Sequence, residues 1–309
     1  MEPYPKACLF ATCEALPASD PDDRLAADAL GAMGVAVRPA IWTDPSVDWS
    51  AADACVLRST WDYHRHAERF AIWIDAVSRA THLINPANVV RWNAHKFYLR
   101  ELESRGVPVV ASAWLARGTP VDLSSILEER GWHDAILKPA FGASAHGVVR
   151  VGDNGISVCD AQPYAAELLR EQDAIVQPYL DSVVDYHERA LVFFGGTYSH
   201  AVTKAPFMHA GAPLADRAHV PPGTSGEEPV DATAGEIAVA TRALEASPGG
   251  HAYARVDVVR DADWQVRVLE VELIEPTLYL YAHPQAPTRF ASAIVAAMTE
   301  RRGQERSFS

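Results

Sequence analysis

Short apolar runs alternate with helical stripes through the first 85 residues. The runs have the length of buried strands and lie at residues 7–13, 35–42 and 54–57. After the first run and a loop, the first predicted helix begins with Asp20 as an N-cap residue and Pro21 at the first helical position. This alternation predicts a parallel sheet wrapped by helices, a first domain over residues 1–85. The apolar stripes of its two predicted helices are Leu25, Ala29 and Met33, then Phe70, Trp73 and Val77.

After residue 85 the pattern changes to paired strands and separate helices. We therefore expect an α/β protein whose C-terminal part is α+β, with a central domain over residues 86–180 and a C-terminal domain over 181–309. The stretch 205–230 is rich in Pro, Gly, Ala and His without a period, and we interpret it as a lid over a site. Helices are predicted at 93–105, 123–130, 231–246 and 286–301, and strands at 135–138, 174–180, 188–196 and 198–204.

Composition narrows the class of protein and its partners. The chain has 309 residues, of which 49% are hydrophobic and 22% charged, as in an ordinary globular protein of two or three domains. The net charge of −13 argues against nucleic acid or an anionic membrane as the main partner. The four cysteines form no C-x-x-C pair, and the sequence has no signal peptide or membrane span. We therefore expect a cytoplasmic protein.

Residues 253–279 carry charges on an otherwise apolar pattern. Two β-rich runs flank the turn-like residues 260–263, which predicts a hairpin. Side chains alternate across strands, so Arg255 and Asp257 share one face of the first run. Val268, Glu270 and Glu272 share one face of the second run.

The position of the turn decides how these charges meet. With the turn centred between residues 262 and 263, Arg255 faces Glu270, and Asp257 lies diagonally about 7 Å from Glu270. Three carboxylates within reach of one another favour Mg²⁺, which prefers oxygen ligands. The alternative is a solvated face on which Arg255 forms an ordinary surface ion pair with Glu270.

A lysine and a loop of small residues follow one another near the middle of the chain. Lys138 ends an apolar run, and after Pro139 the loop 142–147 contains little but small residues. Its backbone N–H groups can close over phosphates without obstruction from side chains. The loop lacks the lysine and hydroxyl of a Walker A loop, and the alternative is a plain hairpin turn. Lys96 lies at the start of the predicted helix 93–105. It is a further candidate, and the alternative interpretation is an ordinary solvated lysine on the surface.

Two polar loops follow strands of the first domain. One begins at Glu14, and the other follows the third strand. Ligands of parallel sheets gather beyond the carboxyl ends of the strands, which makes both loops candidates for substrate binding. The alternative for the second loop is helix capping with a local ion pair between Arg58 and Asp62. The candidates in the second loop are Arg58, Ser59, Thr60 and Asp62.

The ordered set of these motifs resembles the ATP-grasp superfamily of ligases, and more closely its glutathione synthetase-like and D-alanine ligase-like members. The resemblance covers residues 85 to 300, and the first domain resembles the Rossmann-like domain that usually precedes the ATP-grasp fold. The set consists of Lys96, Lys138-Pro139 with its loop, Gln177-Pro-Tyr179-Leu180, Glu188-Arg189, Arg255-x-Asp257 and Glu270-x-Glu272.

This resemblance implies ATP and Mg²⁺ as cofactors, with two ions, and a role for each matching residue. Lys204 would meet the terminal phosphate, and Arg255 would steady the tetrahedral intermediate. The metal ligands would be Asp257, Glu270 and Glu272. The nucleotide would contact Lys96 and Lys138 through its phosphates, the loop residues Gly142, Ser144, His146 and Gly147, the hinge residues Gln177, Tyr179 and Leu180, and Glu188 through its ribose.

Two positions depart from the usual ATP-grasp pattern. Glu272 stands where the family usually has asparagine, which adds a negative charge to the metal site. Gln177 stands where many members have glutamate, a change that keeps an acceptor for the adenine amino group.

A narrower resemblance concerns the substrate. Residues 13–17, 58–63 and 270–278 are similar to the cyclo-ligases that make D-cycloserine from O-ureido-D-serine. It implies a small amino-acid-like substrate whose carboxylate is activated as an acyl phosphate and attacked by a nitrogen of the same molecule. Arg189 joins the candidates for substrate binding. An intermolecular carboxylate–amine ligase, a phosphotransferase and a silent ATP-binding module stay open as alternatives, and a homodimer is possible.

Overall fold

The strands that the structure describes form three sheets. The structure is a computed structural model that describes residues 6–142, 146–204 and 226–307, with side chains up to residue 300. No helix in these ranges combines the length and the apolar character needed to cross a membrane.

The first sheet is parallel, as the sequence predicts. Its strands are β1 (Lys6–Thr12), β2 (Val35–Ile41), β3 (Ala54–Ser59) and β4 (His82–Ile84), in the order β2-β1-β3-β4. Helices α1 (Pro21–Ala32) and α2 (Ala67–Ala80) connect them.

Helix α1 begins at the predicted cap but buries a different face. The Asp20 side chain accepts from the Asp22 N–H and forms a capping box with Asp23. The predicted stripe is wrong, because Leu25 and Met33 are 38% and 39% exposed. The buried face instead comprises Asp22, Asp23, Ala26 and Leu30. Asp23 binds Arg58 and Ser59 of β3, and these bonds fix the rotation of the helix.

The second sheet is antiparallel and carries Lys138. Its strands are β5 (Ala113–Leu115), β6 (Asp134–Pro139), β7 (Val149–Gly152) and β8 (Ala174–Pro178), in the order β5-β8-β6-β7. Helices α5 (Leu123–Arg130) and α6 (Val158–Glu171) accompany it.

The helix predicted over residues 93–105 is interrupted. The structure has α3 (Ala87–Asn93) and α4 (Tyr98–Ser104), and Lys96 lies in the connection between them. The Asn93 side chain is bonded to the backbone of Val271 and Leu273, and the Lys96 N–H donates to the Ala140 carbonyl at 2.7 Å. These long-range bonds turn the chain between the two helices, and the sequence pattern of one helix does not reveal them.

The third sheet carries the charged hairpin. Its strands are β9 (Glu188–Phe194), β10 (Thr197–Lys204), β11 (Glu228–Val230), β12 (Tyr253–Arg260) and β13 (Val266–Glu272), in the order β11-β10-β9-β12-β13. The predicted hairpin over Gly195 and Gly196 is confirmed, and both glycines have positive φ. Helices α7 (Ser182–Asp185), α8 (Ala234–Glu245) and α9 (Ala286–Ser307) complete the chain. The predicted lid falls mostly on residues 205–225, which lie outside the described residues.

Buried hydrogen bonds join the first sheet to the third. The Tyr253 hydroxyl lies within 3.2 Å of the carbonyls of Leu57, Ile84 and Ile274. The Asn85 side chain donates to the Tyr253 and Leu273 carbonyls and accepts from the Ala252 N–H. The segment that follows β13 is therefore fixed against the first sheet, at the carboxyl end of β3.

Candidate active site

Three carboxylates converge on β12 and β13. One oxygen each of Asp257, Glu270 and Glu272 lies within 4.8 Å of the other two. The ladder pairs Asp257 with Glu270 and Arg255 with Glu272. The register predicted from the sequence, with Arg255 opposite Glu270, is therefore wrong.

A β-bulge produces this pairing. Near the turn the ladder pairs Arg260 with Val266 and Val258 with Val268, and the register shifts by one residue between Val258 and Asp257. The extra residue, Leu269, puts Val268 and Glu270 on opposite faces of the sheet. Val268 thus packs in the apolar core with Val258, whereas Glu270 joins Asp257 on the face of the site. The prediction that Val268 shares the face of Glu270 is also wrong.

Arg255 ties two of the carboxylates together. Its Nε and Nη2 atoms donate to the two Asp257 oxygens at 2.8 and 2.9 Å, and Nη2 also donates to Glu272. Arg255 is 5% exposed, so the alternative of a surface ion pair on a solvated face is excluded. A bidentate buried pair of this kind is geometrically specific as well as strong.

The charges of the site shift the pKa values of its carboxyls. Burial opposes ionisation of Asp257, but Arg255 and Lys204 hold its pKa well below the usual range. Burial raises the pKa of Glu272 to about 7, although Arg255 opposes the change. Burial also favours a higher pKa for Glu270, but the charges of Lys96 and Lys138 outweigh burial and lower this pKa.

Lysines from three separate elements surround these carboxylates. Lys204, at the end of β10, donates to Asp257 at 3.0 Å and to Glu188. Lys96 forms an ion pair with Glu270. Lys138 is buried, and among the described residues no carboxylate lies within ion-pair distance of its ammonium group. Burial lowers its pKa to about 8, and Glu270 partly opposes the shift.

The small-residue loop is described at its two ends. Residues 143–145, including Ser144, lie outside the described residues. Gly142 leads out of β6, and His146 is exposed, with its ring centroid 5.2 Å from that of His64. Gly147 has a φ of +70°, and a Cβ there would lie 2.9 Å from the Tyr164 hydroxyl. The position therefore requires glycine.

Residues 177–180 contact neighbouring elements of the second sheet and the start of α7. Gln177 is buried and donates to Ser112 at 3.0 Å. The Tyr179 N–H donates to the Asp134 carbonyl at 2.9 Å, and the Arg150 guanidinium carbon lies 3.5 Å from the Tyr179 ring centroid. The Leu180 carbonyl accepts from the Val183 N–H. The Tyr179 N–H is thus engaged in the sheet.

Most candidates in the N-terminal loops have structural partners. Arg58 is 2% exposed, forms a 2.7 Å ion pair with Asp23 and donates to the Pro276 carbonyl. The local pair of Arg58 with Asp62 is not formed, because Asp62 accepts instead from the Trp42 indole at 2.7 Å. The remaining candidates are Ser59, which donates to Asp23, Thr60, which is fully buried, and Glu14, which accepts from Thr43.

Arg189 is not brought to the carboxylates. It follows Glu188 on β9 and therefore points to the opposite face of the sheet. There it pairs with Glu236 of α8 at 3.1 Å and lies over the Tyr186 ring. These contacts account for its charge.

Sequence reasoning did not single out Glu275. This residue follows β13 and is 8% exposed, and burial followed by the charge of Glu272 raises the pKa of its carboxyl well above the usual range. The sequence signal that could have indicated this residue is an acidic side chain directly after the apolar residues Leu273 and Ile274 that follow β13.

Comparisons with known proteins identify relatives of this chain. A family model described as the N-terminal domain of D-cycloserine synthetase DcsG matches residues 8–85. The cycloserine biosynthesis protein DcsG of Streptomyces lavendulae is 33% identical over 278 residues, which cover 86% of this chain and 90% of that protein.

Solved structures share the fold. The crystal structure of D-cycloserine synthetase DcsG has a TM-score of 0.86 at 32% identity and covers 94% of this chain and 99% of that one. The ATP-grasp ligase PsnB with Mg and ADP has a TM-score of 0.61 at 16% identity, covering 94% and 98%. D-alanine–D-alanine ligase from Bacillus anthracis with ATP has a TM-score of 0.63 at 14% identity, covering 97% and 99%.

The fold is that of the ATP-grasp ligases, and together with the 33% identical relative it defines this chain as an ATP-grasp ligase, an enzyme class that uses ATP and Mg²⁺. Within that class, the chain belongs to the family of the cycloserine biosynthesis protein DcsG. The α/β fold predicted from the sequence, an ATP-grasp fold with a Rossmann-like N-terminal part, is thereby confirmed.

Proposed function

We propose that this enzyme closes the ring of D-cycloserine from O-ureido-D-serine. The relative that covers most of the chain is a cycloserine biosynthesis protein, and the matching family model covers the N-terminal sheet. The substrate carboxylate attacks the γ-phosphorus of ATP, and ADP leaves. The ureido nitrogen bonded to oxygen then attacks the acyl phosphate and loses its proton, and phosphate leaves. Hydrolysis of the carbamoyl group finally releases carbon dioxide and ammonia.

The observation that carries the proposal is the meeting of two distant charge sets. Asp257, Glu270 and Glu272 lie on β12 and β13, whereas Lys138 comes from β6 of another sheet. The charge of Lys138 nevertheless acts on Glu270, and Lys96 binds the same carboxylate. Phosphoryl transfer needs positioning and charge neutralisation more than covalent help, and this arrangement provides both.

The three carboxylates fit Mg²⁺. All of the donor atoms are oxygens, they lie within 4.8 Å of one another, and Asp257 is 1% exposed. In our proposal Asp257, Glu270 and Glu272 would hold the Mg²⁺ ions. Bound Mg²⁺ would neutralise the charge that develops on the transferred phosphoryl group.

In this proposal the lysines bind the phosphates of ATP, and Arg255 binds the oxygen of the reacting carbonyl group. Lys138, which has no carboxylate partner among the described residues, is free to contact a phosphate. When ATP binds, Lys96 and Lys204 exchange some of their bonds to carboxylates for bonds to phosphates. Arg255, held by Asp257 and Glu272, stabilises the oxyanion of the tetrahedral intermediate. Gln177 and Leu180 hold the adenine and Glu188 the ribose, while residues 142–147 cover the phosphates.

Trapping the activated carboxylate tests this function. The enzyme is incubated with ATP, Mg²⁺ and O-ureido-D-serine, with and without hydroxylamine, and the products are identified by mass spectrometry. A hydroxamate in the trap and D-cycloserine without it are expected. A linear amide formed with a second amine would indicate an intermolecular ligase instead. A stable phosphate ester would indicate a phosphotransferase, and absence of ADP with every substrate would indicate a silent module.

A further inference from the structure

Glu275 has a fixed position beside the carboxylate cluster. Its backbone carbonyl accepts from the Trp61 indole at 3.1 Å, and the next carbonyl, of Pro276, accepts from Arg58 at 3.2 Å. On the other side, Arg255 donates to the Thr277 carbonyl. The backbone of residues 275–277 is thus held by the first sheet and by β12. The Glu275 side chain therefore has little freedom to move away from the site.

Glu275 differs in its partners from the half-buried Glu270 and Glu272 of the site and from the buried Glu236. Glu270 has Lys96, Glu272 has Arg255, and Glu236 has Arg189. Within the ranges that the structure describes, no lysine or arginine forms an ion pair with Glu275, although the residue is 8% exposed. Ionisation of a buried carboxyl without a cation is costly, so the group stays neutral unless a cation from outside the chain pairs with it.

The neighbours of Glu275 show which way its carboxyl faces. The charges that act on it are those of Glu272, Lys96 and Glu270, all of them residues of the site. It is not one of the three carboxylates whose oxygens lie within 4.8 Å of one another. Glu275 therefore lies outside the cluster of three carboxylates, and the bonds from Trp61 and Arg58 to the carbonyls of residues 275 and 276 place its backbone beside the first domain.

We propose that Glu275 binds the α-ammonium group of the amino-acid substrate. This inference rests on the proposed function, and it names the group that recognises the substrate. The α-nitrogen of an amino acid is two bonds from its carboxyl carbon, so a residue that binds the ammonium must lie next to the carboxylate that accepts the phosphate. Glu275 follows the metal strand by three positions, which fits such a place, and the ammonium would supply the cation that the described residues do not.

Substrate discrimination follows from this contact. A site built to pair with a charged group rejects an analogue that lacks it, because its own buried group is then left without a partner. The wild-type enzyme should prefer O-ureido-D-serine to its des-amino analogue, 3-(ureidooxy)propanoate, by at least about a hundredfold in kcat/KM.

The test compares both compounds in the wild type and in Glu275→Gln. The variant should lose most of the preference, to below about tenfold, mainly through a higher KM for the amino acid. Calorimetry should show unchanged affinity for Mg-ADP, which also verifies that the variant is folded. Glu236→Gln is the control for loss of a buried carboxylate as such, because Glu236 pairs with Arg189 on the opposite face of the sheet. That control should keep the wild-type preference.

The outcomes separate this inference from the proposed function. Wild-type turnover without a preference for the amino compound, or a preference that survives in Glu275→Gln, overturns the inference and leaves the function standing. A raised Mg²⁺ requirement in Glu275→Gln with the preference intact would make Glu275 a metal ligand and also overturn it. If no amino acid yields an acyl phosphate in the wild type, the proposed function fails, and the inference with it.

Discussion

Asp257 lies directly opposite Glu270 only because Leu269 bulges out of the ladder between the pair Val258–Val268 and the pair Asp257–Glu270. If the pairing of Arg260 with Val266 continued without the bulge, Asp257 would face Leu269, and Glu270 would point into the apolar core. A bulge redirects side chains by one position at the cost of one unpaired residue. The metal cluster is thus a product of backbone geometry as much as of residue type.

Loss of Glu270 tests whether the cluster is catalytic. Glu270→Gln should lower kcat by at least about a thousandfold, because one of the three carboxylates proposed to hold Mg²⁺ is lost. The chain should stay folded, with the free energy of unfolding lowered by about 1–3 kcal/mol, since Lys96 loses its partner. Steady-state kinetics and urea unfolding measure the two effects. Asp263→Asn, in the turn of the same hairpin, is the control, and near-normal kcat in Glu270→Gln would remove Glu270 from the metal site.

The pKa of Lys138 predicts a pH dependence of nucleotide binding. Burial lowers this pKa to about 8 in the free site, and a bound phosphate would favour the charged form. Above pH 8, where the Glu272 carboxyl with its pKa of about 7 is already ionised, the Kd for Mg-ADP should therefore rise by up to about tenfold per pH unit, until the pKa of Lys138 in the complex is reached.

Calorimetry between pH 7 and 9.5 measures this dependence in the wild type and in Lys138→Met. The variant should bind more weakly at pH 7 and lose the rise above pH 8. Lys96 and Lys204 cannot replace the effect, because their carboxylate partners overcome burial and raise their pKa values. An unchanged pH profile in Lys138→Met would reject the phosphate role of Lys138.

Replacement of Arg255 by lysine tests the bidentate contact. Lysine keeps a charge but cannot bind both Asp257 oxygens and Glu272 in the same plane. Arg255→Lys should lower kcat by about a hundredfold or more, with a smaller effect on the affinity for Mg-ADP. Single-turnover kinetics with hydroxylamine separates the steps. Acyl phosphate formation that slows as much as ring closure would argue against a specific role in stabilising the oxyanion.

Arg58 should matter for stability. Arg58→Met leaves Asp23 buried without its cation and removes the bond to the Pro276 carbonyl, so the free energy of unfolding should fall by about 3–5 kcal/mol. Arg24→Met, on an exposed position of α1, should change it by less than about 0.5 kcal/mol. Thermal and urea unfolding check both. A variant of wild-type stability with a raised KM would return Arg58 to the substrate-binding residues.

Local sequence patterns predicted much of the fold. Strands β1 and β3, helix α5 and the hairpin over Gly195 and Gly196 follow from apolar runs, caps and turn residues that act over a few positions. The acidic residues of β12 and β13 could also be singled out, because charges on an apolar strand pattern are unusual.

What the sequence did not predict depends on contacts between distant segments. The bulge at Leu269 leaves no local signal, and it changed the partners of Asp257 and Arg255. The break between α3 and α4 depends on bonds from Asn93 to β13. The partner of Arg58 is Asp23, which lies 35 positions away, whereas the sequence suggested its near neighbour Asp62. The burial of Glu275 without a cation partner among the described residues is likewise a property of the folded chain that no local pattern reveals.

The most direct test of the central claim is the position of the metal. Crystals of the enzyme grown with Mn²⁺ and a non-hydrolysable ATP analogue would give anomalous peaks that locate the ions. We predict two peaks within coordination distance of the carboxylates of Asp257, Glu270 and Glu272, with the Lys138 ammonium on the analogue's phosphates. Peaks remote from these carboxylates, or a triphosphate that does not reach Lys138, would contradict the account.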